Sequence, residues 1–179
     1  MQQMIISLEE AQKIYPDVAQ EDLDGIETAI RQITNNPFQN RKARFHELRF
    51  ETDKSLTVNQ NVEGIGKGDT IQISGSRWND GLYVVSEIEG NTLTFAEARF
   101  FTSCDHQAFI TKIEYPTDII AGVKKLLKYD FKMSDKIGLK SETVSRMSKT
   151  YYDQNSTETI SGYPAAMMSF VNKYRLLRW

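Results

Sequence analysis

The interval at which apolar residues recur changes twice along this chain. Between Gln20 and Thr34, Leu23, Ile26, Ile30 and Ile33 return every three or four positions, which places them on one helical face. Between Phe38 and Tyr115 the apolar residues alternate instead, and turn residues interrupt them about every ten positions, as in a run of short strands. Past Pro116 the helical spacing returns, with Ile119, Val123, Leu126 and Leu127 opposite Lys124, Lys125 and Lys128. A period-two segment cannot share a helical stripe, so the middle of the chain must build its own apolar layer. Neither flank has enough helix to bury its face alone. The expectation is an α+β chain: a discontinuous small helical bundle, residues 1–38 and 115–179, interrupted by an inserted β domain, residues 39–114. Four or five tightly turned strands avoid bare edges by curling into a small barrel of SH3-like or OB type, or by pairing with neighbours.

Local signals set the boundaries. Ser7-Leu8-Glu9-Glu10 fits a capping box and opens a short helix that ends before Pro16. Glu21, Asp22, Asp24 and Glu27 enrich the start of the second helix, where the helix dipole favours negative charge, and Asn35-Asn36-Pro37 ends it. Within the insert, Lys67-Gly68-Asp69, Asn79-Asp80-Gly81 and Glu89-Gly90-Asn91 read as turns feeding the strands Thr70–Ser74, Leu82–Val85 and Thr92–Phe95. Residues 108–113 supply another. Gly122 costs the third helix a little. Ser141 to Tyr152 reads as extended, followed by a polar turn and a short apolar helix from Ala165 to Tyr174.

Composition narrows the function classes. A length of 179 residues, 40% of them hydrophobic, supports one ordinary domain or two small ones. The net charge of -2 provides no global attraction to nucleic acid or an anionic membrane, so any such contact is local. Cys104 is the one cysteine, which excludes an intramolecular disulfide and a multi-cysteine zinc site. No apolar stretch reaches the ~18 residues of a membrane span, and the start lacks a leader pattern, so a soluble, intracellularly made protein with no membrane partner is expected.

Catalytic signatures are weak. Gly64-Ile65-Gly66-Lys67-Gly68-Asp69-Thr70 looks like a phosphate loop, yet Gly68 and Asp69 separate the lysine from Thr70, and a strand is expected where that motif needs a helix. Cys104-Asp105-His106 reads as a surface loop whose adjacent side chains diverge. His46 is the only other histidine, so a metal site has no signature spacing to rest on. Asp80 with Glu87, or Glu97 with Asp105, could form a glycosidase pair, but 24 acidic residues make such pairs commonplace. Neither a cofactor nor a reaction is expected. Arg41, Lys42, Arg44 and Arg49, interleaved with Phe45 and Phe50, could contact phosphates; the plainer reading is a strand with its apolar side inward.

The carboxy-terminal segment is unusual. Tyr174-Arg175-Leu176-Leu177-Arg178-Trp179 is apolar and basic where a terminus is ordinarily polar and frayed, and Trp beside Arg is interface composition. Two readings stand: burial in a partner, or Leu176, Leu177 and Trp179 folding back on the chain's own core.

The segments in order resemble a known family. They are Ser7-Leu8-Glu9-Glu10-Ala11 with Asp22-Leu23-Asp24-Gly25-Ile26, Tyr115–Ile119 through Leu126–Asp130, Gly138–Ser145 leading to Thr150-Tyr151, and Gly162-Tyr163-Pro164 through Lys173-Tyr174-Arg175. Over both helical parts, about 100 residues, the chain is similar to the head-tail connector, or head-completion adaptor, proteins of long-tailed bacteriophages. The insert departs from the family's simpler members. The resemblance implies a non-enzymatic virion protein at the head-tail interface, made in the host bacterial cytoplasm. About a dozen copies would form a ring beneath the portal protein by head-to-tail contacts, extend the channel for double-stranded DNA without sequence-specific binding, and seat a stopper or tail-completion protein. It implies that Tyr174, Arg175, Leu176, Leu177, Arg178 and Trp179 reach the portal. It also assigns Lys140, Ser141, Glu142, Arg146, Lys149, Tyr151 and Tyr152 to ring contacts or the channel wall. Trp78 and Tyr83 are the candidate docking surface of the insert. The competing expectations are a nucleic-acid-binding module acting through the small β domain, and a tail-completion protein.

Overall fold

A computed structural model describes residues 5–134, 141–144, 147–150 and 159–177, the two short stretches 141–144 and 147–150 as backbone. The chain divides into two compact units, one formed by Pro37–Tyr115 and the other by Ile5–Asn36 together with the described part of the chain from Pro116 onward.

The helical unit begins with α1 (Leu8–Gln12), whose N-cap Ser7 hydroxyl accepts the Glu10 amide at 3.3 Å. In α2 (Gln20–Thr34) the carboxylate of Asp22 reaches back to the Ala19 amide at 2.9 Å, and Asn35 ends the helix in the left-handed region at φ 49°. Pro116 caps α3 (Thr117–Met133), where it costs no hydrogen bond. Leu23, Ile26 and Ile30 of α2 and Ile119, Val123, Leu126 and Leu127 of α3 are buried, as their spacing requires. A Lys124–Glu10 ion pair at 3.2 Å links α3 to α1. The last helix differs from expectation: residues 165–168 form turns and only Ser169–Tyr174 coils, as a 3₁₀ helix that buries Val171 and contacts both α2 and α3. Gly122 explains itself here. The Phe170 ring lies over it so closely that an added Cβ would meet ring atoms at 2.5 Å.

The insert is one antiparallel sheet of seven strands: β1 (Gln39–Phe50), β2 (Ser55–Val58), β3 (Thr70–Ser74), β4 (Gly81–Val84), β5 (Glu87–Glu89), β6 (Thr92–Thr94) and β7 (Ser103–Ile113). Their order is β4-β3-β7-β1-β2-β6-β5. The expected barrel is not closed: β4 and β5 are the two edges, and no ladder joins them. The edges are nonetheless successive pieces of one segment. Val85 donates to the Asp69 carbonyl on the β3 side and Ser86 donates to Thr94 on the β6 side, so the chain crosses from one edge to the other between neighbouring residues and the sheet has to curl. Leu48, Phe50, Leu56, Ile71, Ile73, Leu93, Phe95 and Ile110 fill the concave side, each almost wholly buried. At ~1.5–3 kcal/mol per buried large side chain, this layer gives the insert a core of its own.

Two further short ladders follow: β8 (Ser141–Val144) and β9 (Met147–Thr150) pair antiparallel, and β10 (Thr159–Ile160) pairs with β11 (Tyr163–Pro164). No helix among the described residues is long and apolar enough to cross a membrane.

Candidate functional site

The carboxy-terminal stub is fastened along the end of α2. A helix leaves its last carbonyls without partners, and here the stub supplies them: the Leu176 amide donates to the Thr34 carbonyl at 2.7 Å and Arg175 Nε donates to the Ile33 carbonyl at 3.2 Å. The arginine also sets a cation at the negative end of the helix dipole. Asn35 and Asn36 complete the clamp, their side-chain amides donating to the carbonyls of Leu177 at 3.4 Å and Tyr174 at 3.1 Å. Upstream, Tyr174 donates its hydroxyl to Asp118, at the first turn of α3, and Lys173 pairs with the same carboxylate. The Lys173 and Tyr174 hydrogen bonds hold Asp118 below the usual carboxylate range, and the carboxylate in turn raises Lys173 and Tyr174.

The backbone of the stub is therefore docked while its apolar side chains are not. Leu176 is 52% exposed and Leu177 75%. Of the two readings, folding back onto the core does not hold for these leucines. Arg178 and Trp179 lie outside the described residues.

The second presented surface is in the insert. The Asp80 carboxylate accepts the Gly75 amide at 3.1 Å, the Ser76 amide at 2.7 Å and the Ser76 hydroxyl at 2.7 Å. Burial pushes Asp80 up, but these donors outweigh it and hold the group below its ordinary value. The Ser76 hydroxyl also accepts the Asn79 amide at 3.1 Å. Asn79 is buried, and its side chain mimics a strand partner for Phe101, donating to the Phe101 carbonyl at 2.9 Å and accepting its amide at 2.8 Å. Arg77 sits at φ 64°, a left-handed conformation uncommon for a side-chain-bearing residue, which this network sustains. What the network presents is Trp78, 75% exposed, with the Phe101 ring, 65% exposed, 6.2 Å from it.

Trp78 and Tyr83, which sequence reasoning joined as one surface, are placed differently. Tyr83 is half-buried, its ring over Gly81 and against Phe95 and Phe100 at 5.9 and 4.9 Å, and burial, then the Asp80 charge, pushes its hydroxyl up. The exposed neighbour of Trp78 is Phe101, which that reasoning passed over. The available signal was the repeated combination of an arginine with an aromatic on the strand-poor stretches Arg77-Trp78 and Arg99-Phe100-Phe101.

Among the channel candidates, Ser141, Glu142 and Lys149 lie on the paired strands β8 and β9, where Glu142 is the register partner of Lys149. Lys140, Arg146, Tyr151 and Tyr152 lie outside the described residues. The basic cluster of β1 is not an aromatic platform, because Phe45 and Phe50 point into the core. Arg44 is spent on structure, its guanidinium 4.7 Å over the Phe109 ring, donating to Thr111 Oγ1 at 3.1 Å and to Gln39 Oε1 at 3.0 Å. Cys104, Asp105 and His106 belong to strand β7 rather than a loop, and Cys104 is an exposed free thiol. Thr70 opens a strand, and Asp69 is occupied by Lys112 at 2.6 Å and the Gly66 amide at 2.7 Å, so the glycine-rich stretch is a strand-entry turn.

A cleft of about 480 Å³ in the helical unit is lined by Tyr15, Asp22, Tyr129, Asp130 and Tyr163 among others. Tyr163 donates to Asp130 at 2.7 Å; burial, opposed by that bond and aided by the Asp22 charge, leaves Asp130 above the ordinary carboxylate value, and Tyr163 is raised strongly. Among the described residues no group of three or more His, Cys, Asp or Glu side chains could hold a metal ion. No protein-family model matches the chain, and no curated protein is significantly similar to it.

Proposed function

We propose that this chain is a structural ring protein of a bacteriophage head-tail connector, binding the portal through its carboxy-terminal stub. The observation that supports this reading is the stub itself: its backbone is held by the end of α2 while Leu176 and Leu177 point to solvent. A preorganised apolar ridge flanked by Arg175 is what a partner's pocket recognises at low entropic cost. Leu177 and Trp179 fill portal pockets, and Arg175 and Arg178 pair with portal carboxylates. The paired strands Ser141–Val144 and Met147–Thr150 serve contacts between copies in the ring. The curled sheet, an open relative of the small SH3-like and OB barrels, decorates the ring or docks its neighbour.

Truncation after Lys173 tests the stub: binding to purified portal rings is expected to be lost, and unchanged affinity rejects the assignment. Electron microscopy of a lysate in which the gene carries an early nonsense codon tests the role. Complete heads and finished tails accumulating unjoined support a connector. Unfinished tails beside complete heads assign the chain to tail completion, and intact virions reject both.

A further inference from the structure

We infer that the Gly75–Asp80 loop and its neighbour Phe101 form a binding site for single-stranded nucleic acid, with Trp78 and Phe101 stacking on unpaired bases and Arg77 and Arg99 holding phosphates. The inference rests on the insert alone and is independent of the connector reading.

The rings come first. At 75% and 65% exposure, and 6.2 Å apart, Trp78 and Phe101 stand out of the surface rather than lining a recess. A peptide side chain is anchored by a recess, whereas a base needs an open aromatic face, and every base has one to offer in return. The cations are the second observation. Arg77 adjoins Trp78, Arg99 is two residues before Phe101, both are exposed, and neither takes part in an ion pair among the described residues. The Asn79–Phe101 hydrogen bonds bring these two stretches side by side. A planar guanidinium suits a phosphate by its paired donors and stacks on π-faces.

Three acidic residues border these stretches, Asp80, Glu97 and the exposed Asp53, whose backbone carbonyl accepts the Phe100 amide at 2.7 Å. Asp80 is engaged with the amides and hydroxyl of its own loop, and Glu97 lines a groove with Tyr83 and Phe95 whose lining includes neither Trp78 nor Phe101. The third observation is the mount. Ser76 and Asn79 are buried polar residues committed to holding one loop shape, so the platform is set before a ligand arrives and little ordering entropy remains to be lost on binding. The β1 cations lack this partnership, since their aromatics lie in the core.

Fluorescence anisotropy of a labelled oligothymidine of about twelve nucleotides, titrated with the full chain at low salt, is the test. Single-strand binding is expected to weaken about tenfold or more in Trp78→Ala and in Phe101→Ala, and to be retained in Trp78→Phe. The slope of log K against log salt is expected to flatten by about 0.7 in each of Arg77→Ala and Arg99→Ala. Urea midpoints equal to wild type show that each variant is folded. The inference is overturned by absence of oligothymidine binding, by affinity unchanged in both aromatic-to-Ala variants, or by a duplex of the same length binding as tightly as the single strand.

Discussion

The Gly75–Asp80 loop and the Tyr174–Leu177 stub both hold apolar side chains out of the surface, by opposite means. In the loop the holders are side chains, Asp80 and Asn79, that replace the missing strand partners of a short irregular stretch. In the stub the central holder is a backbone amide, that of Leu176, spent on an orphan carbonyl at the end of α2. A loop fastened by its own side chains is a local device, breakable by one substitution. The stub depends instead on the helix end lying where it does: one backbone amide and the side chains of Arg175, Asn35 and Asn36 share the hold, so a single side-chain change leaves the others in place.

The two mounts differ most in their sensitivity at Asn79. Asn79→Ala deletes two hydrogen bonds and leaves the Phe101 amide and carbonyl without their partner, which is expected to cost about 2–4 kcal/mol in the urea-unfolding transition of the insert. On the stub side the corresponding change is to the backbone. Leu176→Pro removes the amide that the Thr34 carbonyl accepts and is expected to cost about 1–2 kcal/mol, with faster hydrogen exchange at the end of α2.

A third substitution sharpens the stub's dependence on tertiary packing. Gly122→Ala improves helix propensity by about 1 kcal/mol, but the added methyl meets the Phe170 ring at 2.5 Å. Overpacking typically costs ~1–3 kcal/mol, so a net loss of about 1 kcal/mol in thermal or urea unfolding is expected where an exposed helix would gain.

The smallest effect belongs to the exposed Asp118 cluster. Because Lys173 and Tyr174 depress the Asp118 carboxyl in the folded chain, its contribution is present above the unfolded value and is lost as pH falls through the folded one. Asp118→Asn is expected to lower the Tm slightly at neutral pH and low salt. The difference from wild type should close on acidification below about pH 4 and shrink in high salt.

How much of this was legible beforehand follows from which interactions are local. Strand β3 was read at its observed bounds because Ile71 and Ile73 alternate between two turns, and α2 because its start and stop signals bracket a clean stripe. Strands β2 and β5 are absent from the sequence reading, whereas the equally short β4 and β6 are legible because a turn with Asn and Gly leads directly into each. Cys104-Asp105-His106 read as a loop because its strand character comes from pairing with distant β1, to which β7 is the longest partner. The half-burial of Tyr83 was not legible, because period alone does not tell which face of a strand at a curled edge meets the core.

Local pattern is enough to show that helical stretches flank a β insert in the chain, where α2 and β3 begin and end, and that Tyr174–Trp179 is apolar and basic. All of that is written in neighbours a few residues apart, within reach of periodicity and hydrogen bonds to the local backbone. Tertiary packing sets the rest: the sheet curls without closing, Asn79 delivers Phe101 to Trp78, and residues 142 positions apart, Ile33 and Arg175, meet so that the stub's leucines face outward. These contacts join chain segments whose approach depends on the packing of everything between them, and no local pattern encodes that.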